Sequence, residues 1–154
     1  MTPHIAHSLI WITNVPTSYR LQVWNALSRH LDFSVIFLAH SESKVDFTEQ
    51  IHVDHKFLKP KKIRIPTLST PIYFHWYQLY KLKLWEKTNT IYIDGWESPV
   101  FHLNAWILKR RGVKVLFGYR STPNSHRFKG SLFRLIRRSI FNLADGIVTS
   151  GSSS

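Results

Sequence analysis

A doubly wound, mostly parallel α/β sheet with helices on both faces is the fold class that three observations predict. Short apolar, β-branched-rich runs recur at Leu9–Thr13, Phe33–Ala39, Ile91–Asp94 and Val113–Tyr119. Continuous apolar runs of this length fit strands that are covered on both faces. Segments of helical rhythm separate these runs, and such alternation implies parallel strands joined by crossover helices. Finally, LIWITNVPTSYR (Leu9–Arg20) passes from a strand through Asn, Pro and hydroxyl residues into a helix. A strand–turn–helix unit so early in a chain founds a doubly wound sheet, whose ligands bind at the carboxyl ends of the strands.

The elements follow in order. Thr17 or Ser18 is placed to cap the first helix, where Leu21, Trp24, Leu27 and Leu31 form one apolar stripe. Phe33–Ala39 is the second strand, His40–Gln50 a polar loop, and Val53–Leu58 holds a short third strand. Pro60, Pro66 and Pro71 argue for an extended connection, after which Ile72–Lys87 has a helical rhythm rich in aromatics. Strand Ile91–Asp94 leads through Gly95–Ser98 into a well-punctuated helix. Ser98 is its N-cap, Pro99 its first residue, Lys109-Arg110-Arg111 its last turn and Gly112 its stop. Strand Val113–Tyr119, a polar loop Arg120–Lys129, a helix Ser131–Leu143 and a strand Gly146–Ser150 complete the order. The sequence stops soon after that strand, where such a fold ordinarily continues into a loop and helix, so a truncated chain is expected.

Composition narrows the class. The chain has 154 residues, 44% hydrophobic and 14% aromatic, which suits a globular domain with a sizeable core and excludes a disordered one. It has no cysteine, which excludes disulfides and thiolate metal sites and suits a reducing compartment. Twenty-one Lys and Arg against nine Asp and Glu give a net charge of +12, which favours polyanions such as nucleic acid, nucleotide phosphates or an anionic membrane. No apolar run is long enough to span a bilayer, and His4 and His7 interrupt the N-terminus too early for a signal peptide. A cytoplasmic location, peripheral to a membrane, is expected.

The turns at the strand ends are where chemistry is expected. Asn14–Arg20, Gly95–Ser98 and Arg120–Arg127 would gather along one edge, with the helix from Pro99 aiming its amino end there and Arg20, Arg120 and Arg127 adding positive charge. Asp94 and Glu97 are the nearby carboxylates and His102 and His126 the nearby imidazoles. Glu97, in the turn itself, is the preferred general base, whereas Asp94 can serve backbone groups and His102 can be packed. His52, Asp54 and His55 form an H-x-D-H cluster read as solvated loop residues, since metal binding needs ligands from several elements. There is no G-x-G-x-x-G, P-loop or G-x-S-x-G motif, which removes the main support for dinucleotide, P-loop and serine-hydrolase chemistry. Ile72–Trp85 and Ser131–Leu143 combine apolar bulk with Lys or Arg. Each fits either a core helix with a solvated basic face or attachment to anionic lipid.

Several motifs fall in a known order: I-T-N-x-P-x-x-Y-R (Ile12–Arg20), W-N-A-L (Trp24–Leu27), V-I-F-L-A (Val35–Ala39), D-G-W-E-S-P (Asp94–Pro99), L-K-R-R-G-V-K-V (Leu108–Val115) and A-D-G-I-V-T-S-G (Ala144–Gly151). In order and spacing, across essentially the whole chain, this set resembles the N-terminal half of family 4 glycosyltransferases of the GT-B fold. The resemblance implies a Rossmann-like, mainly acceptor-binding domain, truncated before the donor-binding domain. It implies transfer of a sugar from a nucleotide-sugar, with no metal or other cofactor, to a saccharide or lipid-linked acceptor in polysaccharide or cell-envelope glycan synthesis. Asn14, Pro16, Tyr19 and Arg20 would border the cleft, and Trp96, Glu97, Ser98, Arg120, Ser121, Thr122 and His126 would line its acceptor side. The sequence departs from many relatives in carrying Asn14-Val15-Pro16 where they have a Gly-Gly pair near the donor phosphates. The isolated chain, lacking the donor-binding half, is expected to be inactive in transfer. The alternative is a non-catalytic basic module for an anionic membrane or nucleic acid, the latter the less favoured partner.

Overall fold

The computed structural model describes residues 7–14, 16–38, 51–59, 61–63, 72–74, 76–94, 99–119, 135, 138–139 and 141–149; of these, 61–63, 72–74, 76–77 and 99 are described by their backbone alone. The elements run β1 Leu9–Thr13, α1 Ser18–Leu27, β2 Phe33–Phe37, β3 Asp54–Phe57, β4 Lys61–Ile63, β5 Ile72–Phe74, α2 Trp76–Lys81, a 3₁₀ turn Leu84–Glu86, β6 Thr90–Asp94, α3 Pro99–Arg110, β7 Lys114–Tyr119 and β8 Gly146–Thr149. Residues 135, 138–139 and 141–143 are helical, within the helix expected between β7 and β8.

Six strands form one sheet in the order β3-β2-β1-β6-β7-β8, and every neighbouring pair is parallel. The chain therefore builds outward from β1 through β2 to β3, then returns to β6 on the other side of β1 and builds outward again. This is the Rossmann-like, doubly wound order, and its reversal point lies between β1 and β6.

Period-two alternation in the strands makes two cores. Ile10, Ile12, Ile36, Ile91, Ile93, Val115 and Phe117 face a cluster completed by Leu79 of α2, Leu84 and, from α3, Phe101, Ala105 and Leu108. Trp11, Phe33, Val35, Phe37 and Tyr92 face the other cluster, which Leu21 and Trp24 of α1 complete. Opposite directions of crossover thus place α1 on one face and α2 and α3 on the other. On the α1 face the fully buried Trp24 ring meets Trp11 edge-on at 6.1 Å between centroids and Phe37 at 5.3 Å, while Trp11 lies 4.1 Å from Tyr92.

Three local expectations are corrected. The segment Ile72–Lys87 is not one helix. Ile-Tyr-Phe, β-prone and just after Pro71, pairs antiparallel in a separate two-stranded ribbon with β4, which lies in the connection expected to be extended. Helix α2 then lasts six residues, and Lys83, at φ 47° in the left-handed region, separates it from the 3₁₀ turn. Asp54 and His55 lie in β3, the short strand expected within Val53–Leu58, so the loop reading of their cluster is the one corrected, and strand alternation points them to opposite faces. Thr17 does hold the N-cap position of α1 in extended conformation, but its hydroxyl makes no capping hydrogen bond. At the end of α3, Gly112 has φ +79°, the left-handed C-terminal residue expected there.

Candidate functional site at the strand reversal

At the carboxyl edge of β1 and β6, parallel register sets Ile12 beside Ile93 and so brings Thr13 and Asp94 together. Asp94 pairs in turn with Gly118 of β7. Helix α1 begins immediately beyond this edge, and its first turn carries Arg20 back over the strand ends. Arg20 Nη2 lies 2.7 Å from Asp94 Oδ2, with the carboxylate side chain 1% and the arginine side chain 13% exposed. Arg20 Nη1 also donates to Thr13 Oγ1, which donates to Asp94 Oδ2 at 3.4 Å.

Burial sets the electrostatics of this group. It pushes the Asp94 carboxyl above its ordinary range, more strongly than Arg20, the Trp11 indole and the Thr13 hydroxyl together pull it down. It likewise lowers the Arg20 guanidinium, against the attraction of Asp94. We read the two as a charged pair, because each removes the other's reason to become neutral and the contact is a short charge-assisted one. The neighbouring Tyr92 hydroxyl is pushed up to about 12, by burial first and then by the Asp94 charge. Gly118 is required beside it: a Cβ there would collide with Tyr92 Oη and come within 2.9 Å of its Cζ and 3.2 Å of Asp94 Oδ1.

Of the residues expected at the cleft, four fall among those described. Asn14 and Tyr19 are exposed, Tyr19 by 53%; Pro16 is buried; Arg20 is largely buried and committed to Asp94. The expectation that Arg20 supplies free positive charge to a ligand does not hold, since its neighbour neutralises it. Trp96, Glu97, Ser98, Arg120, Ser121, Thr122, His126 and Arg127 lie outside the described residues, as does a cap of α3 by Ser98. Their anchors are described: Asp94 closes β6 and Pro99 opens α3, both at the carboxyl edge. His102 is half-buried in α3. Thr13, Trp11, Tyr92 and Gly118 were not singled out from sequence. The one local signal for them was an acidic residue ending the apolar strand I-Y-I-D.

Three buried polar atoms near this edge find no hydrogen-bond partner among the described residues: Trp11 Nε1, Thr17 Oγ1 and Arg20 Nε. The indole of Trp11 lies close enough to Asp94 to favour its charge without meeting an acceptor at hydrogen-bonding geometry. Buried groups of this kind are normally satisfied by protein, ordered water or ligand.

A depression of about 410 Å³ opens at the opposite, amino edge between Arg29, Asp32, His52 and Asp54. There His7 spans Asp32 at 3.2 Å and Asp54 at 3.5 Å. No group of three His, Cys, Asp or Glu placed to hold a metal ion occurs among the described residues. No helix among them is long and apolar enough to cross a membrane.

Strand order and register together define a Rossmann-like α/β domain whose sheet reverses its winding between β1 and β6. No protein-family model matches the sequence, and no curated protein is similar to it. Among solved structures it is similar to a protein of unknown function from Vibrio parahaemolyticus, with a TM-score of 0.56 and 15% identity over 96% of this chain and 95% of that one. At that identity the likeness concerns the fold alone.

Proposed function

We propose that this chain is the acceptor-side half of a GT-B-type glycosyltransferase, using a nucleotide-sugar donor bound by a second domain and a saccharide or lipid-linked acceptor. The observation that carries the proposal is the neutralised reversal edge. The turn after β1 has no glycine, and its arginine is matched by Asp94, so that turn is poorly made to cradle phosphates. It presents the amide of Asn14 and the phenol ring of Tyr19 to solvent. An amide offers both donors and an acceptor, and the Tyr19 ring, with the Arg20 guanidinium 5.5 Å from its centroid on one face, offers its other face, which together suit a polyhydroxylated sugar ring. Glu97, tethered between Asp94 and Pro99, is the proposed general base, and the ordered motifs from Ile12 to Gly151 support the same class.

The test is retention of the purified chain on an array of saccharides. A restricted set of glycans should retain it, and Asn14→Ala with Tyr19→Ala should abolish retention. No retained glycan, together with binding to duplex DNA whose affinity falls steeply with salt, would favour the basic-module alternative instead. Measurable sugar transfer by this chain alone would contradict the assignment of the donor site to a second domain.

A further inference from the structure

Helix α3 divides cleanly around its circumference. Phe101, Asn104, Ala105 and Leu108 are buried, while Leu103, Trp106 and Arg110 are exposed and spaced three and four residues apart, so they form one outer stripe. Trp106 is 44% and Leu103 42% exposed. The Arg110 guanidinium covers one face of the Trp106 ring, 4.1 Å from its centroid. The next residue, Arg111, lies 5.0 Å from the ring of Trp85, which follows α2 and stands 5.5 Å from the 40%-exposed Tyr80. Because Arg110 and Arg111 are consecutive, these contacts join the outer side of α3 to the end of α2 in one surface of aromatic rings and guanidinium groups. Nearby carboxylates are taken: Glu86 pairs with Lys83 at 3.2 Å and Asp145 with Lys109 at 2.6 Å. Among the described residues no carboxylate pairs with Arg110 or Arg111.

We infer that this α2–α3 surface docks on an anionic lipid bilayer, Leu103 and Trp106 entering the headgroup region while Arg110 and Arg111 meet lipid phosphates. Indole and leucine beside arginine suit that layer, which is apolar on one side and negatively charged on the other. Single-stranded nucleic acid is the poorer occupant, because base stacking needs open aromatic faces and each tryptophan has one covered by a guanidinium. A symmetric second copy is poorer still, because it would set Arg110 and Arg111 against their own equivalents. The surface lies on the opposite face of the sheet from α1, so the inference does not rest on sugar transfer.

Co-sedimentation with vesicles tests it. The chain should pellet with phosphatidylcholine–phosphatidylglycerol vesicles at three to one and not with phosphatidylcholine alone. Each arginine near such a surface contributes about fivefold in partitioning, so Arg110→Gln with Arg111→Gln should weaken binding roughly 25-fold. The chain has no cysteine, so Leu103→Cys can carry an environment-sensitive dye, whose emission should shift to the blue on the mixed vesicles. Near-ultraviolet circular dichroism confirms that each variant is folded. No pelleting, pelleting unchanged in the folded double variant, or a dye at position 103 that stays in water while the protein is bound would each overturn the inference. Equal binding of a single-stranded oligonucleotide that the double variant loses, with no dye shift on vesicles, would overturn it in favour of nucleic acid.

Discussion

Arg20 Nη2 stands 2.7 Å from Asp94 Oδ2, tying the first turn of α1 to the last residue of β6 across the point where the sheet reverses its winding. The pair is largely buried, so its net contribution is small beside the cost of breaking it: losing one partner strands the other charge, while losing both does not. Arg20→Met should lower unfolding free energy by about 3 kcal/mol or more. The double variant with Asp94→Asn should lose clearly less than the sum of the two singles. Urea unfolding of all four proteins checks this, and additive losses would show that the residues act separately.

Gly118 is constrained by a contact and not by its backbone angle. Gly118→Ala drives a methyl into Tyr92 Oη in the middle of the sheet and should cost about 1–3 kcal/mol, the range of overpacked cores. Tyr92→Phe in the same chain should restore part of the loss by removing the oxygen. A thermal melt of the cycle decides it: no rescue would place the strain elsewhere.

Gly112 and Lys83 form the converse pair, where backbone angle alone matters. At Gly112, φ +79° with no atom within 4 Å of a built Cβ, alanine should cost about 1 kcal/mol. At Lys83, φ 47°, glycine relieves the same strain and should be neutral or stabilising by up to about 1 kcal/mol, less its greater freedom when unfolded. Equal signs for the two substitutions would refute the backbone argument.

Asp145 predicts an acid limb. Its Oδ1 takes a bond from Lys109 Nζ at 2.6 Å and its Oδ2 one from the Val115 amide at 2.8 Å, and these bonds, the lysine's first, hold its carboxyl below the ordinary value of 3.8. The unfolded chain therefore binds its proton first as pH falls, so the stabilisation is present above 3.8 and fades as pH drops toward the lower folded value. Asp145→Asn should melt lower than the parent at neutral pH, with the gap closing at acid pH. A gap independent of pH would mean that the carboxylate charge is not involved. The effect is modest, because the side chain is 36% exposed.

How far sequence reaches is seen by comparing elements. Strands β1, β2, β6 and β7 were legible because both of their faces are buried, which leaves unbroken apolar runs. Strand β3 sits at the sheet edge with Asp54 and Lys56 exposed, so its run is diluted. The β4–β5 ribbon was hidden behind a helical rhythm that continues through Leu79 and Leu84, two residues that do share one core but from either side of the Lys83 break. At the site, Arg20 and Asp94 were each singled out, yet their pairing follows from β1 and β6 becoming neighbours, a long-range fact that no local spacing encodes. Tyr92 and Gly118 were invisible for the same reason, since their contact crosses from β6 to β7.

The central claim is that the β1–β6 reversal edge receives a saccharide. Its most direct test is a titration of the isotope-labelled chain with the saccharides it retains, followed by nuclear magnetic resonance. Amide shifts concentrated at Thr13, Asn14 and Tyr19, and lost in Asn14→Ala with Tyr19→Ala, are the predicted result. Shifts centred on the amino-edge depression around Asp32 and His52, or no saccharide-dependent shift at all, would contradict it.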